Sequence, residues 1–169
     1  MRKFNSQGFT LVELLIVIGI IAILATATFV ALDPLRRFRD SRDAKRWSDV
    51  AELMHAIKVD QVDNGGSYLD KIQDMNPGDI YMITDGDYLT GCNTQNAHCD
   101  AQVTRDSACV NLNGLVAQGY TGKIPVSPNG NGNWSPSLTG YTLTASSSGA
   151  LTITACESEN SVDNITVTR

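Results

Sequence analysis

The sequence has few of the residues from which active sites and metal sites are built. It contains two histidines, His55 and His98, far apart in the chain, and four cysteines without a CxxC pair. No nucleophile–base signature, phosphate-binding loop or zinc-ligand spacing occurs. The acidic segments 60–63 and 85–87 lack the alternating oxygen ligands and terminal glutamate of an EF-hand loop. We therefore predict no enzymatic activity, no metal and no cofactor, with these aspartates in solvated turns.

Charge is nearly missing from residues 9–32, where Glu13 is the single charged residue among 24. An apolar run of about 20 residues is long enough to span a bilayer as a helix. A secretory signal would end in a small-residue cleavage site, but residues 32–36 (Leu-Asp-Pro-Leu-Arg) offer no Ala-x-Ala pattern. We therefore expect the apolar helix to be retained, followed by a soluble part large enough for one modest core.

The charges that are present are segregated. Six of the 13 basic residues fall within 11 positions, and we call them the basic collar: Arg36, Arg37, Arg39, Arg42, Lys45 and Arg46. From Trp47 onward there are 5 basic and 14 acidic residues, a net charge of −9. The collar suits a membrane surface or acidic neighbours in an assembly. The alternative is a solvated helix face with local ion pairs to Asp40, Asp43 and Asp49. The acidic remainder argues against nucleic acid as the main ligand.

All four cysteines lie in the soluble part: Cys92, Cys99, Cys109 and Cys156. An even number in a small exported domain predicts two disulfides. Three pairings are possible. We favour a short Cys92–Cys99 loop with a long Cys109–Cys156 staple.

Helical periodicity continues beyond the apolar run. Pro34 removes one helical hydrogen bond, so we predict a kink near residues 30–34. An amphipathic helix follows, ended by the glycines at 65–66, with one stripe facing a core. The predicted stripe is Trp47, Val50, Met54, Ile57 and Gln61.

The remainder predicts a small antiparallel sheet. Residues 67–91 are expected to form a short helix or an irregular loop, and residues 110–117 a short helix. Alternating apolar and polar residues at 141–144 and 150–155 predict a hairpin with one face packed on the helix. Residues 165–167 predict a last edge strand. The fold class is therefore α+β, with a long N-terminal helix on an antiparallel sheet.

The segment Gly8-Phe9-Thr10-Leu11-Val12-Glu13-Leu14-Leu15-Ile16-Val17 resembles the prepilin leader and mature N-terminus of the type IV pilin superfamily. That superfamily includes type IV pili, type II secretion pseudopilins and competence filaments. The resemblance implies that a prepilin peptidase cuts after Gly8 and methylates the new amine of Phe9. Glu13 would then pair with the Phe9 ammonium of a neighbouring subunit, since unpaired buried charges are costly.

The resemblance also implies a domain plan: a leader at 1–8, a membrane and filament-core helix at 9–32, an amphipathic helix at 33–62 and a globular pilin head at 63–169. It implies a homo-oligomeric filament built by inner-membrane machinery, with the chain in the membrane before assembly and at the cell surface afterwards. Residues 63–68 and 120–129 resemble pilins and pseudopilins more loosely, and Ser127 stands where pseudopilins commonly carry Asp. A secretion pseudopilin, or a minor pilin or adhesin, are the alternatives.

Overall fold

The computed structural model describes residues 8–160 and 164–169. Of the predicted leader, only Gly8 lies within the described residues. The chain divides into two compact units, Met1–Phe38 and Arg39–Arg169, which we call the N-terminal unit and the head unit.

The N-terminal unit is dominated by helix α1, which spans Leu11–Leu32. None of its 22 residues is buried. At about 1.5 Å per residue the helix is about 33 Å long, close to the thickness of a bilayer's hydrocarbon core. Within the described part of the chain, one helical stretch is long and apolar enough to cross a membrane, and it includes α1.

The helix is interrupted at Asp33, inside the interval where the sequence predicts a kink. Asp33 adopts a left-handed conformation with φ of 37°, and helix α2 (Pro34–Asp63) starts at the next residue. Proline is well suited to a first helical position because the N–H it lacks would have no partner there. Asp33 also caps the new helix, since its carboxylate accepts a hydrogen bond from the Arg36 N–H at 3.4 Å.

The core-facing stripe of α2 differs from the predicted one. Val50, Met54 and Ile57 are buried as predicted, but Trp47 is 42% exposed. Towards the start of the helix, the inward positions are instead taken by charged residues: Asp43, Arg46 and Asp49 are all buried. The prediction failed there because apolar periodicity does not register charged side chains that are buried with partners.

The C-terminal end of α2 agrees with the sequence. The helix ends at Asp63, and the Gly66 N–H donates to the Gln61 carbonyl at 2.7 Å. Gly65 and Gly66 have φ of 66° and 97°, which glycine adopts without steric cost.

Within residues 39–160 and 164–169, the head unit carries a five-stranded sheet, two short α-helices and a 3₁₀ turn at Asn96–His98 beside its part of α2. The strands are β1 (Ile80–Thr84), β2 (Cys109–Asn111), β3 (Tyr141–Ala145), β4 (Leu151–Ala155) and β5 (Thr166–Thr168), in the order β2-β1-β3-β4-β5. The short helices are α3 (Asp70–Gln73) and α4 (Asn113–Ala117). All strand pairs are antiparallel except β1–β2. The α+β fold class and the β3–β4 hairpin are confirmed.

Two local predictions were confirmed for a short helix but wrong for the residues around it. Residues 67–91 contain α3 but also β1, which lies between β2 and β3 in the sheet. Its sequence, Ile-Tyr-Met-Ile-Thr, is nearly continuously apolar, and a short run without alternation does not identify a strand. Residues 110–117 form a shorter helix than predicted, because Val110 and Asn111 belong to β2.

Candidate processing and assembly site

The predicted cleavage position lies immediately before α1. Gly8 and Phe9 are exposed and outside regular structure, and 79% of the surface of Phe9 is accessible. A Cβ atom added to Gly8 would meet no described atom within 4 Å. Packing among the described residues therefore does not require glycine at this position. A requirement for glycine there would come from a protein that acts on this bond.

Thr10 and Glu13 form a reciprocal cap at the start of α1. The Thr10 hydroxyl accepts the Glu13 N–H at 3.2 Å. The Glu13 carboxylate accepts the Thr10 N–H at 2.9 Å and the Thr10 hydroxyl at 2.7 Å. Two backbone donors that a helix start leaves without partners are thus satisfied. This role of Thr10 was not predicted, although the pattern Thr-x-x-Glu before an apolar run is the usual sequence signature of such a cap.

The cap determines what Glu13 can do chemically. Both contacts from Thr10 use Oε2, and within the described residues Oε1 has no hydrogen-bond partner. The cap also survives a cut between Gly8 and Phe9, since both of its residues lie after that bond. Glu13 can therefore order the first turn of α1 and still accept a cation from a neighbouring molecule.

The basic collar does not behave as one surface. Arg36, Arg37 and Arg39 are exposed, and the Arg37 Nε donates to the Leu32 carbonyl at 3.1 Å. Arg46, in contrast, is completely buried. Its prediction as part of a surface collar, or of a solvated helix face, is wrong.

Arg46 lies in a cage of oxygen atoms. Its guanidinium contacts the carboxylates of Asp43 at 2.8 Å, Glu157 at 2.9 Å and Glu159 at 2.8 Å. It also donates to the Ser127 hydroxyl at 3.1 Å and the Pro128 carbonyl at 2.9 Å. A buried cation is tolerated only when paired and hydrogen-bonded in this way.

The remaining cage contacts join α2 to the segment after β4. Asp43 accepts the backbone N–H groups of Glu159 and Asn160, at 3.0 Å and 2.8 Å. Arg42 forms an ion pair with Glu159, and this pairing, with that of Arg46, holds the pKa of the Glu159 carboxyl below its usual value. Three chain segments (α2, residues 127–128 and residues 157–160) are thus tied together by ion pairs and hydrogen bonds rather than by apolar packing.

Lys45, the last member of the collar, forms an ion pair with Asp49 one helical turn later. Asp49 is buried and also accepts the Tyr141 hydroxyl at 2.7 Å. Burial, together with the hydrogen bond to Asp49, raises the pKa of Tyr141 well above its ordinary value. The local Lys45–Asp49 pair was one of the predicted alternatives, but its role is to hold a buried carboxylate against the sheet.

The favoured disulfide pairing was wrong. The bonds join Cys92 to Cys109 and Cys99 to Cys156, with Cα atoms 5.4 Å and 3.9 Å apart. The Cys92 N–H donates to the Asp106 carbonyl at 2.9 Å, which places Cys92 beside the start of β2. The Asp100 N–H donates to the Cys156 carbonyl at 2.8 Å, which places the loop that contains Cys99 beside the end of β4. The missed β1–β2 pair sets this arrangement, so sequence spacing alone could not supply it.

Among the described residues, no group of three or more His, Cys, Asp or Glu side chains is arranged to hold a metal ion. Asp85 and Asp87 lie in the loop after β1, where Asp87 pairs with Lys71 at 3.0 Å. Asp60 is buried at the end of α2 and accepts the Asn64 side-chain amide at 2.8 Å. The prediction of a solvated turn is therefore wrong for Asp60.

Residues 3–29 match the family model described as the prokaryotic N-terminal methylation motif. The matched segment includes the predicted cleavage position, the Thr10–Glu13 cap and most of α1. Over these residues, the resemblance to the leader and mature N-terminus of type IV pilins and pseudopilins is therefore confirmed. No curated protein and no solved structure matches the chain.

Proposed function

We propose that the chain is a structural subunit of a type IV pilus-like filament. A prepilin peptidase cuts after Gly8 and methylates Phe9, and α1 then moves from the membrane into a filament core. In the filament, the Glu13 carboxylate of one subunit pairs with the Phe9 ammonium of the next. The proposed role is structural, with no catalytic step of its own.

The observation that carries this proposal is α1 itself. Twenty-two residues with one charge have no buried member, so this helix requires lipid or other helices to cover it. The methylation motif supplies the processing step that releases such a helix from its leader. Glu13 supplies the register, because a misplaced subunit would leave two charges without partners in a medium of low dielectric constant.

Processing and assembly are tested separately in cells that make the full chain. The intact mass of the wild-type protein should correspond to a chain that begins at Phe9 and carries one methyl group. Gly8→Arg should leave the full precursor mass. Glu13→Ala should be processed and methylated normally, but sheared surface material should contain few or no filaments by electron microscopy.

Thr28→Ala is the matched control, since the Thr28 hydroxyl donates only to carbonyls of its own helix. It should assemble like the wild type. Filaments at normal yield from Glu13→Ala would refute the pairing. A processed chain that is absent from sheared material, with secretion lost on deletion, would instead identify a pseudopilin.

A further inference from the structure

The head unit has an apolar groove where α2 faces the end of the sheet beyond β5. Its volume is about 350 Å³. The lining is Ala51, Met54, His55, Lys58, Val167 and Arg169. The floor is aliphatic, and the rim carries Lys58, Arg169 and His55. We call this site the groove.

The same head unit exposes an apolar projection elsewhere, in the loop that follows β1. Leu89 is 82% exposed and Tyr88 is 41% exposed, so two large apolar side chains lie side by side at the surface. Asp85 and Asp87 precede them. Asp87 is fixed by the Asn111 amide at 3.2 Å, which places this loop at the end of β2. We call residues 85–89 the knob.

Knob and groove both combine apolar side chains with charges, and the charges differ in sign. The knob presents an aliphatic tip beside the carboxylates of Asp85 and Asp87, the second of which is paired with Lys71 at 3.0 Å. The groove presents an aliphatic floor beside Arg169 and Lys58, and the Lys58 ammonium also donates to the Tyr68 hydroxyl at 2.6 Å. Such pairing of apolar centre with opposite charges at the rim is what directs specific association.

Strand register shows that one molecule cannot fill its own groove. Residues aligned across the sheet run from Ile80 through Thr144 and Thr152 to Thr168. Arg169, which lines the groove, follows Thr168. The groove therefore lies at about the same position along the strands as Ile80, but three strand spacings, or roughly 14 Å, away across the sheet. The knob follows Thr84, four residues or roughly 13 Å further along β1. Knob and groove thus occupy opposite edges and opposite ends of one sheet.

We propose that the knob of one subunit binds the groove of a second copy of this chain. Because the two surfaces differ, the contact is head-to-tail. It leaves a free knob at one end of the assembly and a free groove at the other. The same contact then builds an open helical filament, unless the rotation between subunits brings the chain of subunits back to the first one and closes a ring. This inference deepens the filament proposal by naming a contact between heads, additional to the one made by α1.

The test is chemical cross-linking of the full-length chain in its producing cells. Ala51→Cys and Leu89→Cys are introduced into one chain, and a short bismaleimide is added while the native disulfides stay intact. Both positions are exposed, so the substitutions leave the core unchanged. The expected result is a ladder of dimers, trimers and longer products, with residues 51 and 89 joined in the linked peptides.

Each control distinguishes one alternative. Val62→Cys with Leu89→Cys should give no ladder, since Val62 is 76% exposed on α2 but does not line the groove. Dimers from Leu89→Cys alone would indicate a symmetric contact and overturn the head-to-tail inference. Cross-linking of Ala51→Cys to Ile18→Cys, without the 51–89 product, would show that α1 of a neighbour fills the groove.

The outcome is separable from that of the proposed function. Absence of the 51–89 product overturns the knob–groove contact, whether or not filaments are present. Filament yield in the Glu13→Ala variant decides the role of α1, whether or not residues 51 and 89 cross-link.

Discussion

Arg46 on α2 and Glu157 after β4 form an ion pair of 2.9 Å in which both side chains are buried. The Glu157 carboxylate also accepts the Gly132 N–H, so the pair connects the helix, the end of the sheet and the loop between them. The pair and its neighbours therefore hold the helix against the sheet, which in most domains is done by apolar contacts.

The first prediction is that Arg46→Ala strongly destabilises the head. Removal of one partner leaves the carboxylates of Asp43, Glu157 and Glu159 close together without their shared cation. Breaking a buried pair in this way costs about 3–5 kcal/mol. Denaturant unfolding of the full chain in detergent micelles, followed by tryptophan fluorescence, measures the loss.

Arg39→Ala is the matched control, because Arg39 belongs to the same basic collar but is exposed. Its change should stay within about 0.5 kcal/mol, as is usual at the surface. Equal effects of the two substitutions would contradict a special role for the buried guanidinium.

The second prediction concerns pH. Arg42 and Arg46 lower the pKa of Glu159 in the folded state, so the folded protein binds this proton less readily than the unfolded chain. The stabilisation is therefore complete above the unfolded pKa of about 4.3 and is lost as the pH falls through the lower folded value. Glu159→Gln should lower the Tm at pH 7, and the difference from wild type should shrink as the pH falls below about 4.

Asp74→Asn provides the comparison, since Asp74 is an exposed carboxylate on α3's C-terminal side. Its Tm, measured over the same pH range, gives the effect of losing one exposed carboxylate, against which the Glu159→Gln effect is compared. A Glu159→Gln difference that stayed constant from pH 7 to pH 3 would show that the carboxylate is not stabilised by its arginines.

The N-terminal unit was largely predictable from sequence because its signals are local. A long run without charge, a proline and the Gly8–Glu13 motif each report on their own neighbourhood. The head was predictable only where alternation is visible, as in the β3–β4 hairpin. Strand β1 was missed because a strand buried among neighbours loses the alternation that identifies it. The Arg46 cage was missed because all of its members but Asp43 lie 81 to 113 residues from Arg46 along the chain, and a buried arginine in sequence looks like an exposed one.

The third prediction concerns the disulfides, whose closed loops differ in length. The sequence separation is 57 residues for Cys99–Cys156 and 17 for Cys92–Cys109. In the chain-entropy account, these bonds stabilise the fold by about 4 and about 3 kcal/mol respectively. The paired change Cys99→Ser with Cys156→Ser should therefore lower the free energy of unfolding more than Cys92→Ser with Cys109→Ser.

Non-reducing digestion and mass spectrometry of the wild type should first recover the peptides joined as 92–109 and 99–156. A peptide that links Cys92 to Cys99 would contradict the structure. If the shorter bond proved the more stabilising, strain or local packing would outweigh loop entropy at these sites.

The last prediction concerns the exposed part of the basic collar. Arg37 and Arg39 are solvent-accessible, and the chain beyond Trp47 carries a net charge of −9. In a filament, these cations are expected to face acidic heads of neighbouring subunits. Dissolved salt screens the attraction between exposed charges, with a screening length of about 8 Å at physiological ionic strength that becomes shorter as salt is added. Filaments should therefore fragment more readily in 1 M salt, and Arg37→Glu with Arg39→Glu should have a similar effect in low salt. The head's unfolding midpoint should not change, because neither side chain is part of the buried cage.

Filament lengths that are unaffected by salt and by both substitutions would contradict this role and would assign the exposed collar to the membrane surface. Binding to anionic vesicles by the wild type, and not by the double variant, would then confirm the membrane role.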